Sequence, residues 1–340
     1  MLRRPIDLRS DTVTQPDSAM RQVMAAAEVG DDVYGEDPTV RRLEREAADL
    51  LGHQASLFLP SGTMGNQIAL HLHGHPGGEV ICEAKSHIVL YELGAMAALS
   101  GLLPCTLVAD RGLLTAPQVE GAVAPEVVYR SRTVAVVIEN SHNMAGGTLY
   151  DRPRREAILA VTRQRGLPVH LDGARLFNAS EALGESPADL AAGFDSVMVS
   201  LSKGLGAPVG SLLAGSAALI EEARRVRKML GGAMRQAGIL AAAGLLALER
   251  GPARLAADHR NARTLAEGLA VRGWTVDPSA VATNIVIAGP PDGDALAFCR
   301  RAEAKGVKAV AISPGEVRFV THHDVSEQDI GDALARLAEA

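Results

Sequence analysis

The sequence predicts an α/β fold built on a mostly parallel sheet, followed by a smaller α+β domain at the carboxyl end. Three observations point there. Its 340 residues suit about two domains. From Asn66 to Ser216, short β-branched runs alternate with helical stretches. After Gly215 that alternation gives way to long Ala/Leu-rich segments.

The strand candidates are Glu79–Cys82, Val134–Glu139, Val169–Asp172, Ser196–Ser200 and Ser211–Ala214, each apolar nearly throughout, as strands buried on both faces should be. Arg152–Arg165 is helical in pattern and closes on Gly166-Leu167-Pro168, a helix stop. Ala217–Leu230 and Met234–Glu249 read as two helices parted by Gly231-Gly232, with the next break at Arg250-Gly251-Pro252. Beyond it come a helix, a strand (Asn284–Ile287), a helix (Asp294–Lys305), a strand (Val317–Val320) and a closing helix capped by Ser326. The expected division is a large domain over 1–250 and a small one over 251–340, with the amino-terminal segment packing against the small one.

Composition removes several function classes. The chain is 47% hydrophobic and 22% charged, ordinary for a globular protein with a large core. A net charge of −6 and a single Trp argue against nucleic acid, which needs a concentrated basic face or stacking aromatics. The basic cluster Arg224, Arg225, Arg227 and Lys228 reads as a solvated helix face. The longest apolar run, Ala237 to Leu248, is shorter than the roughly 18 residues of a membrane span. The opening residues carry charge with no apolar stretch behind them, so no secretory leader is expected. Cys82, Cys105 and Cys299 form no CxxC pair, which suits a reducing cytoplasm and gives neither a disulfide framework nor a zinc site.

The chemistry concentrates at strand ends. Asp172 closes one buried strand in Val169-His170-Leu171-Asp172-Gly173, and Lys203 follows the next in Ser200-Leu201-Ser202-Lys203-Gly204. Ligands of open α/β sheets gather outside the carboxyl ends of strands. A lysine and a carboxylate facing one crevice there suit pyridoxal 5'-phosphate (PLP), which needs an amine for its aldehyde and an acid beside its pyridine nitrogen. A structural ion pair is the alternative. Leu57-Phe58-Leu59-Pro60-Ser61-Gly62-Thr63 runs from a strand into a small-residue turn and a helix, which fits either a phosphate site or an ordinary helix cap. No GxxxxGK[ST] is present, and Gly204, Gly206 and Gly210 have the wrong spacing for GxGxxG, so a nucleotide-binding dehydrogenase is excluded.

Several blocks together resemble the low-specificity L-threonine aldolase family: Leu8-Arg9-Ser10-Asp11-Thr12-Val13-Thr14, Asp31-Asp32-Val33-Tyr34-Gly35-Glu36-Asp37-Pro38-Thr39, His170-Leu171-Asp172-Gly173-Ala174-Arg175, Ser200-Leu201-Ser202-Lys203-Gly204-Leu205-Gly206, Lys228-Met229-Leu230-Gly231-Gly232 and Arg318-Phe319-Val320-Thr321-His322. They occur in the family's order along the chain. The resemblance implies the fold type I PLP architecture, like that of aspartate aminotransferase, and retro-aldol cleavage of L-threonine, L-allo-threonine and other β-hydroxy amino acids to glycine and an aldehyde. It further implies a homotetramer, a dimer of dimers with shared active sites.

By the same resemblance Lys203 is the Schiff-base lysine, Asp172 the partner of the pyridine nitrogen and His87 the histidine that stacks on the ring. Gly62 and Thr63 match the phosphate-binding turn. Arg235 and Lys228 match basic residues that reach a phosphate from the neighbouring subunit, and Tyr34 a tyrosine that enters from it. Ser10, Arg175 and Arg318 match the groups that hold the substrate carboxylate, and Arg175 is expected among the cofactor-binding residues as well. His87 and His142 are equal candidates for taking the β-hydroxyl proton, directly or through a water, with His142 alternatively orienting the hydroxyl or serving only as a loop residue that satisfies backbone groups. Another fold type I lyase, a β-eliminating or phenylserine-cleaving enzyme, is the runner-up, and an inactive PLP-binding regulator the reading from another class.

The remaining histidines call for bland readings. His71, His73 and His75 have cluster-like spacing but no acidic partner near them in sequence, so a solvated helix end is expected rather than a metal site. His322 and His323 are expected to line or flank the site. Because some family members hold a structural cation near the segment Ser10–Thr14, Thr12 and Thr14 are marginal metal candidates, and no metal is expected.

Overall fold

The computed structural model describes residues 4–339; Met1–Arg3, on which the expectation about a leader partly rests, and Ala340 lie outside the described residues. The strands are β1 (Ile6–Asp7), β2 (Ala55–Leu59), β3 (Glu79–Glu83), β4 (Leu103–Leu107), β5 (Thr133–Glu139), β6 (Val169–Gly173), β7 (Ser196–Ser200), β8 (Ser211–Gly215), β9 (Ile285–Ala288), β10 (Val307–Lys308), β11 (Val310–Ser313) and β12 (Glu316–Val320).

Among the described residues one seven-stranded sheet has the order β2-β8-β7-β6-β5-β3-β4. β3, β4, β5, β6 and β7 pair in parallel, while β8 runs against both β2 and β7. β6, β7 and β8 are buried at every residue because helices cover both faces, which is why they read as largely apolar runs. β4 escapes the sequence pattern: Leu103-Pro104-Cys105-Thr106-Leu107 is an edge strand, where a proline is tolerated and side chains stay partly in solvent.

Helices begin where side chains meet their free amides. Arg152–Arg165 forms as expected, capped by Asp151 and stopped by Gly166 in the left-handed region. The helix expected from Met234 starts instead at Gly238, whose N–H donates to the Asp37 carboxylate at 2.8 Å. A Cβ there would lie 2.5 Å from that carboxylate, so glycine is required.

Toward the carboxyl end, β11, β12 and β9 form an antiparallel three-stranded sheet. Trp274 meets Phe298 and Phe319 edge to face beside it, at 4.5 and 5.8 Å. The amino-terminal segment is stitched here: β1 pairs in parallel with β10, and the Val320 N–H donates to the Leu8 carbonyl. The closing helix Glu327–Leu337 is capped by Ser326. Among the described residues no helix is long and apolar enough to cross a membrane.

Candidate active site

Asp172 ends β6, Glu139 ends β5, and Lys203 lies in the turn after β7, so parallel neighbouring strands deliver all three to one edge. The Asp172 carboxylate accepts N–H bonds from the Asn66 amide at 2.8 Å and the Ala174 backbone at 3.1 Å. Among the described residues Lys203 donates no hydrogen bond. Burial lowers its pKa, and the charge of Arg175 lowers it further against the pull of Asp172, Asp11 and Glu139. An amine that gives up its proton readily is a nucleophile.

Asn66 joins two buried acids. Its amide nitrogen donates to Asp172 and, at 2.9 Å, to Glu92, while its carbonyl meets His170 Nε2 at 3.0 Å. Burial holds the His170 pKa near about 3, so this ring is neutral. Glu92 also receives Gln67 at 2.5 Å and contacts His87 Nδ1 at 2.8 Å. His87, Glu92 and Asp172 offer polar atoms within 4.8 Å of one another, the spacing of a metal site. The amide donors already aimed at both carboxylates make it a hydrogen-bonded network instead.

Glu139 fastens the loops above, accepting the backbone N–H of His87 at 2.7 Å and of Asn143 at 2.8 Å. The two candidate histidines differ in setting. Burial disfavours charge on His87, but Glu92 and Asp172 outweigh it and raise its pKa; its side chain stays 28% exposed. His142 is 1% exposed, with Nε2 bonded to Glu83 at 3.0 Å and Nδ1 without a partner among the described residues. Burial opposes its charge as well, and Glu139 and Glu83 reverse the balance and raise its pKa.

The arginines divide too. Arg175 forks onto Asp11 with two bonds of 2.7 Å, both residues buried. Burial works against charge on Asp11, yet Arg175 brings its pKa down to about 2. Arg318 donates to Asn143 at 2.9 Å and weakly to the Arg9 carbonyl, leaves Nε unpartnered, and has no carboxylate partner among the described residues. Ser10 caps the following turn, its hydroxyl accepting from the Thr12 N–H and hydroxyl. Thr14 donates to the Asp11 carbonyl.

The turn before the helix Gly62–His73 puts its first amides, those of Gly62 and Thr63, at the same edge; a Cβ on Gly62 would meet Met198 at 3.2 Å and Ser200 at 3.5 Å. These amides have no acceptor within the helix and suit an anion. The residues therefore fit PLP: an unpartnered amine of lowered pKa, an acid held by two N–H donors, and open amides at a helix start.

Tyr34, Lys228 and Arg235 do not join this crevice within the chain. Tyr34 is 75% exposed, Lys228 is exposed, and Arg235 pairs with Asp31 at 2.9 Å. The basic cluster beside them is not wholly solvated, contrary to expectation: Arg227 is buried, bonded to Asp32 and the Phe58 carbonyl, and Arg224 pairs with Glu44. His71 and His73 are partly buried and bonded to Ser100 and Ser196, where a solvated end was expected. His75 is exposed. His322 bonds to the Asp7 carbonyl, and His323 packs against Gly206 in the turn after Lys203.

Asn66, Glu92, Glu139, Asp11 and Asn143 are absent from the sequence-based candidates. Asp11, Asn66 and Asn143 lie in or beside segments singled out there, and Glu139 ends a buried strand as Asp172 does. Glu92 had no such signal.

Residues 7–289 match the beta-eliminating lyase family. Low-specificity L-threonine aldolase 1 of Arabidopsis thaliana is 41% identical over 100% of this chain and 97% of its own length. The low specificity L-threonine aldolase of Escherichia coli strain K12 is 43% identical over 97% of each. The solved structure of Leishmania major threonine aldolase superposes with a TM-score of 0.85, covering 98% of this chain and 99% of that one, at 23% identity.

Proposed function

The chain belongs to the beta-eliminating lyase family and, within it, to the low-specificity L-threonine aldolases, and on that premise we propose that it cleaves L-threonine and L-allo-threonine to glycine and acetaldehyde with PLP as cofactor. The fold is that of fold type I PLP enzymes. One observation carries the reading: identity of 41% and 43% to such aldolases over essentially the whole chain.

Bound PLP supplies an electron sink for the pair released when the Cα–Cβ bond breaks. The chain's own tasks are then distinct. Lys203 would hold the cofactor aldehyde, and Asp172 would keep a proton on the ring nitrogen. His87 would hold the ring, and the Gly62 and Thr63 amides would hold the phosphate. Arg318, helped by Ser10 and by Arg175 through the shared Asn143, fixes the substrate carboxylate, which selects the bond set for cleavage. A histidine would take the β-hydroxyl proton as the Cα–Cβ bond breaks, and one proton returned to Cα would complete glycine, so that none is gained or lost overall. Outward-facing Tyr34, Lys228 and Arg235 serve a neighbouring subunit in a homotetramer. The cytoplasm and a division into 1–250 and 251–340 complete the proposal.

The test is aldehyde release from L-threonine and from L-allo-threonine, with and without added PLP. PLP-dependent acetaldehyde from either establishes the activity. PLP binding without aldehyde from either rejects it and directs the search to bulkier β-hydroxy amino acids and β-eliminations.

A further inference from the structure

Glu92 touches the crevice only through other side chains, yet it is among the most heavily hydrogen-bonded acids of the site. Its side chain is wholly buried, and its oxygens meet Asn66 Nδ2, Gln67 Nε2 and His87 Nδ1 at 2.9, 2.5 and 2.8 Å. Leaving a carboxylate in such a place is costly unless donors surround it.

The donors can be assigned from chemistry. The amide nitrogen of Asn66 faces two carboxylates, Glu92 and Asp172, while its oxygen faces His170 Nε2. The reversed amide would set an oxygen against both acids, so the orientation is settled. Glu92 is thus an acceptor on every side, and the third contact must be a donor: His87 carries a proton on Nδ1. In the neutral ring Nε2 is then the acceptor. Among the described residues Nε2 has no hydrogen-bond partner, and the ring keeps 28% of its side-chain exposure. The other candidate base, His142, uses Nε2 on Glu83 and is almost fully buried.

We propose that Glu92 is the positioning residue of the reaction: it holds His87 in the Nδ1–H tautomer and so leaves Nε2 open to take the substrate's β-hydroxyl proton. The proton moves from the hydroxyl oxygen to Nε2 as the Cα–Cβ bond breaks and the C–O bond becomes the aldehyde carbonyl. Glu92 itself stays unchanged and orients the ring, as outer acids orient ligating histidines elsewhere. The inference rests on the aldolase reading for its substrate.

The test uses the holoenzyme labelled with isotopic histidine, comparing wild type, Glu92→Ala and Glu92→Gln. Glutamine keeps an oxygen for His87, and Gln67, whose Oε1 is buried without a partner, can accept its amide. The nitrogen chemical shifts of His87 report its tautomer independently of turnover. Removal of the glycine α-proton, followed by exchange into heavy water, needs no β-hydroxyl base. The expected result is loss of the Nδ1–H form in Glu92→Ala, with aldehyde release falling about 10- to 100-fold, glycine exchange spared, and Glu92→Gln restoring both tautomer and turnover. An unchanged His87 tautomer in Glu92→Ala overturns the proposal, as does a parallel fall in glycine exchange. Should Glu92→Ala not fold, Glu92→Gln decides alone: loss of the Nδ1–H form with turnover intact overturns it. Failure of the aldolase reading shows separately, as wild-type protein that releases no aldehyde.

Discussion

Arg175, just after β6, and Arg318, in β12 of the small sheet, both donate to the side-chain oxygen of Asn143, and they arrive there in opposite electrostatic states. Arg175 is matched by Asp11 through two short bonds. Arg318 has no carboxylate partner among the described residues, and burial together with the charge of Arg175 lowers its pKa. A buried cation with its own anion is already neutralised; one without still has its charge to satisfy. The same contrast separates Lys203, which has no side-chain partner among the described residues, from Arg227, locked to Asp32 at 2.7 Å. Residue type alone would have treated all four cations alike.

Substitutions at these positions should separate chemistry from frame. The largest effect is expected at Lys203: Lys203→Ala abolishes aldehyde release and the visible absorbance of bound cofactor, and retained turnover would remove Lys203 from the reaction. Arg175→Ala strands the buried Asp11 and should cost about 3–5 kcal/mol of stability, read as a shifted urea midpoint. If the midpoint held while KM rose, Arg175 would belong with Arg318. Arg318→Ala should leave the midpoint near wild type and raise KM for threonine by about 10- to 100-fold, the loss of a charge-assisted bond.

Acid should unpick the framework pair in a defined window. The Asp11 pKa is depressed in the folded chain, to about 2 from an ordinary 3.8. Its contribution is therefore complete above pH 3.8 and lost as pH falls toward 2. Urea midpoints should show this loss in wild type and much less of it in Arg175→Ala; equal acid sensitivity in the two would break the pairing argument. The smallest effect on the chain's own stability belongs to Arg235→Ala, at most about 1 kcal/mol because its pair with Asp31 is exposed. Its cofactor affinity should nevertheless fall if a neighbouring subunit uses it, and unchanged PLP binding would leave Arg235 out of the site.

Much of this was legible locally. Strands buried on both faces must be apolar, so β5, β6, β7 and β8 were readable, and with them the positions of Asp172 and Lys203 at their ends. Ser326 was readable as a cap because capping is settled within four residues. β4 was not, since an edge strand needs no apolar pattern, and the reversed direction of β8 leaves no local mark. The helix expected from Met234 lost its first residues to a contact with Asp37, far away in sequence.

Amino-acid order by itself determined the alternating α/β plan, the family and the residue types proposed to serve PLP. Only the tertiary structure decided how the charges were distributed: Asp11 meets Arg175 across 164 positions, and Asn66 meets Asp172 across 106. Periodicity and capping act over a few residues and are written in the chain. Whether a buried charge is neutralised depends on which distant group folds against it: Asp11 neutralises Arg175, whereas Arg318 and Lys203 have no carboxylate partner among the described residues.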